Sequence, residues 1–333
     1  MIEVSVIIPT YNRQDSLLRL LDNLAHQTFE TRKFEVIVVD DGSPSGPRDD
    51  DHSKFPFHYE YLRQENQGAT IARNNGAKKS QGNILVFIDD DVTISEKVLE
   101  ALTEVCAKDS RVIALGWLDT CNTKDETTFT KVAVSLDNKD LNRFKVTHGI
   151  ENFIECNTQL IAIRRRDFFE LGMFQDPTGG WPNWDDVDLG YRAHLAGFQF
   201  IRVGEAKGKH WDNSLSDMES TSQRWFRASK SAVQLFKKYP ELQSSIRMYE
   251  DKTPVNWSKD KPGLVVRKMV RGLTSSKVSI KFLEEVVDLL EKFYPNPKLL
   301  LPLYRWIFGA YMYQGYQQGL REFGIVPELG HPA

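Results

Sequence analysis

The sequence predicts an α/β fold, in which a mainly parallel sheet is flanked by helices, followed by a helical C-terminal extension. Through about residue 204, short apolar runs alternate with segments whose apolar residues recur at helical spacing. Acidic residues stand directly after two of the apolar runs, at the strand ends where parallel sheets bind their ligands. From about Ser214 only helical patterns remain. We therefore expect an α/β domain over residues 1–212 and a helical region over 213–333.

The elements of the α/β part are predicted in order from their apolar patterns. Each predicted strand is a short apolar run bounded by polar or turn residues, and each predicted helix repeats apolar residues every three or four positions. The predicted strands are residues 4–9, 35–39, 83–88, 111–117 and 198–203. The predicted helices are residues 16–27, residues 69–80, and a helix that Ser95 caps and that runs to about residue 107. Residues 43–58 are rich in Pro, Asp and Ser, as is typical of a loop.

Composition agrees with an ordinary protein that buries a sizeable core. The chain has 333 residues, of which 41% are hydrophobic and 27% charged, so it has room for about two domains of ~100–200 residues each. Cys106, Cys121 and Cys156 lie far apart and form neither a metal-spaced pair nor an even disulfide set, which favours a reducing compartment. The N-terminus lacks a signal-peptide pattern and no run of about 18 apolar residues exists. We expect a cytoplasmic protein.

The charge is unevenly distributed along the chain. The net charge is -3, but residues 201–281 hold 17 Lys and Arg against 8 Asp and Glu. A basic excess of this kind suits contact with acidic lipid at the inner face of a membrane or with a polyanionic acceptor. The alternative is a solvated helical face. Nothing in the pattern predicts a nucleic-acid partner.

The first predicted strand excludes the common nucleotide-binding loops. It leads into Pro9-Thr10-Tyr11-Asn12, whereas a dinucleotide fold needs Gly-x-Gly-x-x-Gly at this point. The chain also lacks the Gly-x-x-x-x-Gly-Lys-Ser/Thr loop of P-loop NTPases. A bound nucleotide would therefore be held by side chains and a metal ion.

A run of three carboxylates follows the third predicted strand. Asp89-Asp90-Asp91 comes directly after residues 84–88, and an Asp-x-Asp at a strand end suits a hard divalent cation that bridges diphosphate oxygens. The alternative is an acidic loop that leads into the next helix. His210, shortly after the last predicted strand, is a candidate third ligand of the metal, although a lone histidine is more often structural.

A second group of carboxylates lies in the segment Trp184-Asp185-Asp186-Val187-Asp188. Asp185 and Asp186 are expected at the start of a helix, where acids are also favoured by the helix dipole alone. The preceding residues 178–184 contain two glycines and two tryptophans. An aromatic loop beside carboxylates suits a sugar, whose apolar face stacks on indole while its hydroxyl groups meet acids.

These motifs together resemble family 2 glycosyltransferases of the GT-A fold. The resemblance is carried by residues 4–12, Val36-Ile37-Val38-Val39-Asp40-Asp41-Gly42-Ser43, Asn66-Gln67-Gly68, Ala72-Arg73-Asn74-Asn75-Gly76 and Phe87-Ile88-Asp89-Asp90-Asp91. Residues 179–189 resemble the acceptor segment of inverting galactosyl- and N-acetylhexosaminyltransferases, with Asp185-Asp186 where that segment usually has Glu-Asp. The resemblance covers about residues 1–212, with a donor half over about 1–118 and an acceptor half over about 119–212.

The resemblance implies a role for each matching residue. A UDP-sugar donor is expected to contact Pro9, Thr10, Tyr11, Asn12, Arg13, Asp40, Asp41, Arg73, Asp89 and Asp90. A Mn²⁺ or Mg²⁺ ion is expected to be held by Asp91, Asp89 and His210. A glycan, lipid-linked or protein acceptor is expected to contact Trp181, Trp184 and Asp185. The catalytic carboxylates are expected to be Asp186, as the base, and Asp185.

The chemistry of glycosyl transfer agrees with these roles. An acceptor hydroxyl must lose its proton as it attacks the anomeric carbon, and a positioned carboxylate can accept that proton. The departing diphosphate needs its charge stabilised, and a divalent metal does so. A base separate from the metal ligands fits a single displacement with inversion. Two alternatives are a sugar nucleotidyltransferase, which usually has a Gly-rich basic loop after its first strand, and a catalytically inactive carbohydrate-binding module.

Overall fold

The computed structural model describes residues 1–45, 55–121, 127–141, 148–176 and 184–326. The chain divides into two compact units. The first unit comprises Met1–Cys121 and Asn138–Trp211, and the second comprises Asn122–Asp137 and Asp212–Ala333.

The first unit is built on a mixed sheet. Its strands are β1 (Val4–Thr10), β2 (Phe34–Asp40), β3 (His58–Arg63), β4 (Ile84–Ile88), β5 (Val92–Ile94), β6 (Val112–Cys121), β7 (His148–Glu151), β8 (Leu160–Arg164) and β9 (Gln199–Trp211). The order is β3-β2-β1-β4-β8-β6-β9-β5, and β7 pairs with β9. Strands β3, β2, β1 and β4 are parallel to one another, whereas β8 runs antiparallel to both of its neighbours.

Helices flank this sheet and cover its central strands. The helices of this unit that precede β9 are α1 (Gln14–Ala25), α2 (Ala69–Lys79), α3 (Val98–Lys108), α5 (Arg165–Glu170) and α6 (Asp185–Leu195). Helix α4 (Thr128–Leu141) also precedes β9, but its residues through Asp137 belong to the second unit. Every residue of β1, β2 and β4 is buried, as expected for parallel strands covered on both faces. A Cβ at Gly76 of α2 would lie 2.6 Å from Ile7 Cγ2, so glycine allows α2 to approach β1 closely. Helix α2 therefore packs directly on β1 and β2.

The structure confirms the predicted fold class and corrects details of it. Ser95 is not the cap of α3, because the helix begins at Val98 after Lys97, and the Ser95 carbonyl only accepts a bond from the Val98 amide at 3.3 Å. Strand β9 continues to Trp211, well beyond the predicted end at residue 203, and therefore carries His210 within the sheet. Strands β3, β5, β7 and β8 were not predicted.

The second unit is helical. Its main helices are α7 (Met218–Lys238), α8 (Leu242–Ser245), α9 (Pro262–Thr274), α10 (Lys277–Phe293) and α11 (Pro297–Phe323). One core cluster joins α10 and α11 to the start of α4 through Phe129, Val132, Ala133, Leu215, Val287, Leu300, Tyr304, Ile307 and Phe308. Within the described part of the chain, none of the helices is long and apolar enough to cross a bilayer.

Helices α7 and α11 pack with their backbones in close contact. A Cβ added at Gly315 of α11 would overlap the carbonyl oxygen of Phe226 in α7, and one added at Gly319 would overlap that of Lys230. A backbone atom cannot rotate away as a side chain can. The two glycines therefore set the distance between these helices.

We expect Gly315→Ala to lower the free energy of unfolding of the second unit by roughly 1–3 kcal/mol, because the added methyl group forces the helices apart. Gly263→Ala is the matched control, since a Cβ at Gly263 would meet nothing within 4 Å. That change should leave stability unchanged or raise it, because alanine favours the helix by up to about 1 kcal/mol over glycine. Urea unfolding followed by circular dichroism compares the two. Equal midpoints for both variants would show that close α7–α11 packing is not required.

Candidate active site

The carboxyl ends of β1, β2 and β4 and the start of α2 surround a cavity of about 260 Å³. Its lining residues are Pro9, Thr10, Tyr11, Arg13, Asp41, Ala69, Arg73, Asp89 and Asp90. The structure thus brings together eight of the ten predicted donor-binding residues. Asn12 and Asp40 are not among the lining residues.

Asp41 is held rigidly at one side of this cavity. Its Oδ1 accepts bonds from the Gln64 side chain and the Gln67 amide, and its Oδ2 accepts one from the Gly68 amide, each at 2.8 Å. Gly68 has a φ of 90°, a conformation that glycine adopts without strain. The carboxylate of Asp41 therefore fixes the loop before α2 and presents an edge to the cavity.

Asp40 does not line the cavity and instead bonds to neighbouring parts of the chain. It is buried, and it accepts bonds from the Ser43 amide at 2.9 Å and from the Tyr61 hydroxyl at 2.5 Å. Burial, and then the bond to Asp40, raise the pKa of Tyr61 well above its usual value, which keeps this hydroxyl a donor. The Ser43 hydroxyl in turn accepts the Asn12 amide at 2.8 Å. Asn12 has a φ of 54°, so this bond secures a left-handed turn after β1.

Two of the three consecutive aspartates share one guanidinium. Arg13 Nη1 lies 3.1 Å from Asp90 Oδ1 and 2.5 Å from Asp91 Oδ2. Asp90 also accepts the Thr10 hydroxyl at 2.7 Å. Burial raises the pKa of Asp90 to about 6, while the charge of Arg13 opposes that rise. These carboxylates therefore attract a cation strongly, and Arg13 balances part of their charge.

His210 lies beside Asp91 because of the register between two strands. Strand β5 pairs with β9 so that Val92 stands opposite His210, and His210 Nε2 is 3.4 Å from Asp91 Oδ1. Both side chains are buried, and the Gln159 amide lies 3.2 and 3.3 Å from the two ring nitrogens. Among the described residues no cluster of three or more His, Cys, Asp or Glu is arranged to hold a metal ion. Of the three predicted metal ligands, Asp91 and His210 are adjacent, whereas Asp89 is paired with an arginine.

That arginine is Arg73, whose buried guanidinium bridges two carboxylates. Its Nη2 lies 2.6 Å from Asp89 Oδ1, and its Nη1 lies 3.4 Å from Asp185 Oδ2. The same Asp185 oxygen accepts the Thr70 hydroxyl at 2.9 Å. Arg73 thus connects the end of β4 to the start of α6.

Asp186 stands next to this bridge and has a shifted pKa. It lies in the first turn of α6, is half-buried, and accepts a bond from the Val187 amide at 2.7 Å. Burial, and then the charge of Asp185, raise the pKa of Asp186 to about 7. Burial raises the pKa of Asp185 as well, although Arg73 and Thr70 counteract it. A carboxylate with a pKa near neutrality suits the accepting and releasing of a proton.

One of the two predicted acceptor tryptophans lies within the described residues. Trp184 is the residue before α6 and is buried. Trp181 and the glycines at 179 and 180 lie outside the described residues.

Sequence reasoning missed several residues that organise the site. Thr70, Tyr61 and Gln159 each contact a predicted site residue. Thr70 was detectable in principle, because it lies in the first turn of a helix that begins directly after Gly68. Tyr61 and Gln159 gave no signal, because β3 and β8 were not predicted.

Comparison with known proteins identifies the family of this chain. The family described as "Glycosyl transferase family 2" matches residues 5–172. The chain therefore belongs to glycosyl transferase family 2.

Individual relatives resemble parts or most of the chain. Validoxylamine A glucosyltransferase of Streptomyces hygroscopicus subsp. limoneus is 26% identical over 269 residues, which is 72% of this chain and 57% of the relative. Glycosyltransferase AglE of Haloferax volcanii is 39% identical over 101 residues, 29% of this chain and 33% of the relative. The chain thus covers less than two thirds of the length of either relative.

Solved structures show the same fold at low identity. The mannosyltransferase PcManGT from Pyrobaculum calidifontis, in complex with GDP-Man and Mn²⁺, matches with a TM-score of 0.58 and 17% identity over 95% of this chain and 88% of its own. TarS from S. aureus, in complex with UDP, matches with a TM-score of 0.50 and 16% identity over 97% of this chain and 91% of its own. The fold is accordingly of the GT-A type.

We expect Arg73→Met to destabilise the first unit by about 3–5 kcal/mol, because it leaves carboxylates without their buried counter-charge. Arg73→Lys should lower the free energy of unfolding by less, because lysine keeps the positive charge. It lacks the guanidinium with which Arg73 reaches both Asp89 and Asp185. Arg19→Met is the control, because Arg19 is exposed and donates to the Ser16 side chain at 2.9 Å. Chemical unfolding measures all three. Equal losses for Arg73→Met and Arg19→Met would contradict a structural role for the bridge.

Proposed function

We propose that the protein is an inverting, metal-dependent glycosyltransferase that moves a sugar from a UDP-sugar to an acceptor hydroxyl group. The transferred sugar is a hexose or an N-acetylhexosamine, and the product belongs to a glycan, polysaccharide or glycoconjugate. The observation that supports this most is the Arg73 bridge. It holds Asp185, the neighbour of Asp186, against the strand ends that line the donor cavity.

Asp186 is proposed as the catalytic base. Its raised pKa allows it to take the proton of an acceptor hydroxyl near neutral pH, which general-base catalysis requires. It is not engaged by the Arg13 contacts that hold Asp90 and Asp91. Proton removal and charge stabilisation at the diphosphate are therefore assigned to different side chains, as a single displacement with inversion needs. The resemblance of residues 179–189 to inverting transferases supports the same role.

The donor is proposed to bind at the strand ends. Asp41 presents its edge to the uracil, Thr10 and Tyr11 line the nucleoside region, and Arg13 and Arg73 supply positive charge for the diphosphate. A relative with this fold was solved with UDP and another with GDP-Man. The affinities of the protein for UDP and for GDP should therefore be compared.

The residues present fit a divalent metal beside the diphosphate. Asp91 and His210 offer a carboxylate oxygen and an imidazole nitrogen 3.4 Å apart, a donor set that Mn²⁺ accepts. Asp89 is engaged by Arg73, so we assign it to holding that guanidinium and give the metal to Asp91 and His210. When bound, a metal ion would act as a Lewis acid toward the diphosphate. Arg13 already places a positive charge at the same carboxylates.

Measurements of donor binding and turnover also distinguish two alternative functions. A sugar nucleotidyltransferase would form rather than consume the sugar nucleotide, and an inactive binding module would do neither. The acceptor is proposed to be a glycan, lipid-linked or protein hydroxyl. A cytoplasmic location, with peripheral contact at the inner membrane face, is proposed from the sequence alone.

Calorimetry of nucleotide binding tests the metal and the base. We expect UDP to bind more tightly than GDP, and Mn²⁺ to strengthen UDP binding because the cation draws ligands from both protein and diphosphate. Asp91→Ala should remove the gain due to Mn²⁺. Asp22→Asn, which changes an exposed carboxylate in α1, is the control. Equal UDP affinity with and without Mn²⁺ in the wild type would overturn the metal assignment.

Hydrolysis of a panel of UDP-sugars with Mn²⁺ tests catalysis without knowledge of the acceptor. We expect Asp186→Asn to bind donor almost normally and to lose roughly 10²-fold or more in turnover, because the amide cannot take a proton. Asp22→Asn should keep the wild-type rate. Half the wild-type turnover in Asp186→Asn would show that another group is the base.

The pH dependence of turnover tests the raised pKa of the Asp186 carboxyl group. Asp186 works only when it is deprotonated, so kcat should rise as pH increases through about 7 and level off above it. The rates are measured at saturating donor and Mn²⁺, so that protonation of His210 does not limit metal binding. A kcat that stays constant across neutral pH would contradict a base with this pKa.

A further inference from the structure

The second unit contains a helix, α9, whose buried side chains are charged and whose exposed face is apolar. Within α9 the buried side chains are those of Lys268 and Arg271. A surface helix of a protein in water normally has the opposite arrangement, with its apolar stripe toward the core. The orientation of α9 must therefore be stabilised by other interactions, and its exposed apolar face is a candidate binding surface.

Buried ion pairs hold α9 in this orientation. Lys268 Nζ donates to Asp260 Oδ2 at 2.7 Å and to the Pro254 carbonyl at 2.9 Å. Arg271 Nε donates to Asp251 Oδ2 at 3.2 Å, and its guanidinium lies 4.5 Å from the centre of the Trp306 ring. Rotating the helix to bury its apolar side would leave these acids without partners, which is strongly unfavourable.

The outward side of α9 is a continuous apolar stripe. Val266, Met269, Val270 and Leu273 follow the spacing that places residues on one helix face, and their exposed fractions are 60%, 49%, 39% and 76%. We call these four residues the α9 stripe. Exposed apolar side chains scattered singly are ordinary, but a row of four on one face marks an interaction surface.

Further exposed apolar residues lie on either side of α9 in the sequence. Trp257 precedes the helix and is 77% exposed, and Val278 follows it and is 81% exposed. Tryptophan is favoured at the boundary between lipid and water, where one part of its ring system meets an apolar phase and its N–H stays hydrated.

The stretch of chain that includes α9 is rich in basic residues. Residues 252–281 contain eight Lys and Arg but a single acid, Asp260, which is the partner of Lys268. Lys259, Lys261, Lys277 and Lys281, at the two ends of α9 and just beyond them, are exposed. The other four basic residues of this stretch, Lys252, Arg267, Lys268 and Arg271, form ion pairs within the unit.

We propose that the α9 stripe, with the lysines at its ends, docks on the surface of an anionic lipid bilayer. The helix lies in the plane of the membrane, with the stripe among the acyl-chain boundary and the lysines at the phosphate groups. Charge favours lipid over a second copy of the chain, because a symmetric self-contact would bring the lysines of two copies together. The proposal does not rest on the catalytic assignment.

Co-sedimentation of the whole protein with vesicles tests this docking. We expect binding to vesicles that mix phosphatidylcholine with phosphatidylglycerol, and much weaker binding to phosphatidylcholine alone. The double variant Val266→Ser and Leu273→Ser should lose about tenfold or more in partitioning, because it removes apolar area from the inserted face. The triple variant Lys259→Gln, Lys261→Gln and Lys277→Gln should lose a similar factor at low salt, and its difference from wild type should shrink at high salt.

The matched control is Leu289→Ser with Phe293→Ser. These α10 residues are 59% and 61% exposed but have the acids Asp288 and Glu291 as sequence neighbours, so their loss should change binding less than about twofold. Thermal unfolding checks that every variant is folded.

Absence of wild-type binding to anionic vesicles at low salt would overturn the proposal, as would an equal loss in the control. Sedimentation without lipid that shows a dimer broken by the stripe variant would overturn it in favour of self-association. Donor hydrolysis in solution should be equal in wild type and stripe variant, which separates this test from that of catalysis.

Discussion

The candidate site depends on one buried charge that must be satisfied. Arg73 lies inside the first unit, where an unpaired guanidinium would be costly, and two carboxylates from distant parts of the sequence provide its partners. Asp89 ends the parallel part of the sheet, and Asp185 begins α6. Because the arginine fork must reach both, the start of α6 cannot move away from the strand ends. The position of Asp186 relative to the donor cavity follows from this single constraint.

The aspartates of the candidate site fall into two groups that differ in how much positive charge lies near them. Asp90 and Asp91 share Arg13 and adjoin His210, so positive charge is concentrated on them. The negative charge of Asp186 is less balanced by nearby cations. Burial and the neighbouring Asp185 therefore raise its pKa to near neutrality. Carboxylates that are paired with cations suit ligand and metal binding, whereas a carboxylate with a raised pKa suits proton transfer. The residues assigned to ligand binding and to proton transfer are both aspartates, so the proposed mechanism depends on their surroundings and not on their residue type.

The sequence was informative wherever local chemistry determines structure. Short apolar runs predicted β1, β2 and β4, because buried parallel strands are apolar along their whole length. The acids that follow two of these runs placed Asp41 and Asp89 at one edge of the sheet. It could not predict β8 or β5, whose residues find antiparallel partners far away in the chain. For the same reason Gln159 was not expected beside His210. Asp40 was expected in the cavity, but it does not line it and accepts a bond from Tyr61 of the unpredicted strand β3. The inward charges of α9 were equally undetectable, because they depend on Asp251 and Asp260 rather than on the helix itself.

The stereochemistry of the first product tests the proposed separation of base and diphosphate site most directly. With an α-linked UDP-sugar and water as the acceptor, proton NMR can record the anomeric configuration of the released sugar before it equilibrates. Single displacement, assisted by Asp186 on the face opposite the diphosphate, predicts that the β anomer appears first. Initial release of the α anomer would contradict the proposed inverting mechanism and, with it, the role assigned to Asp186.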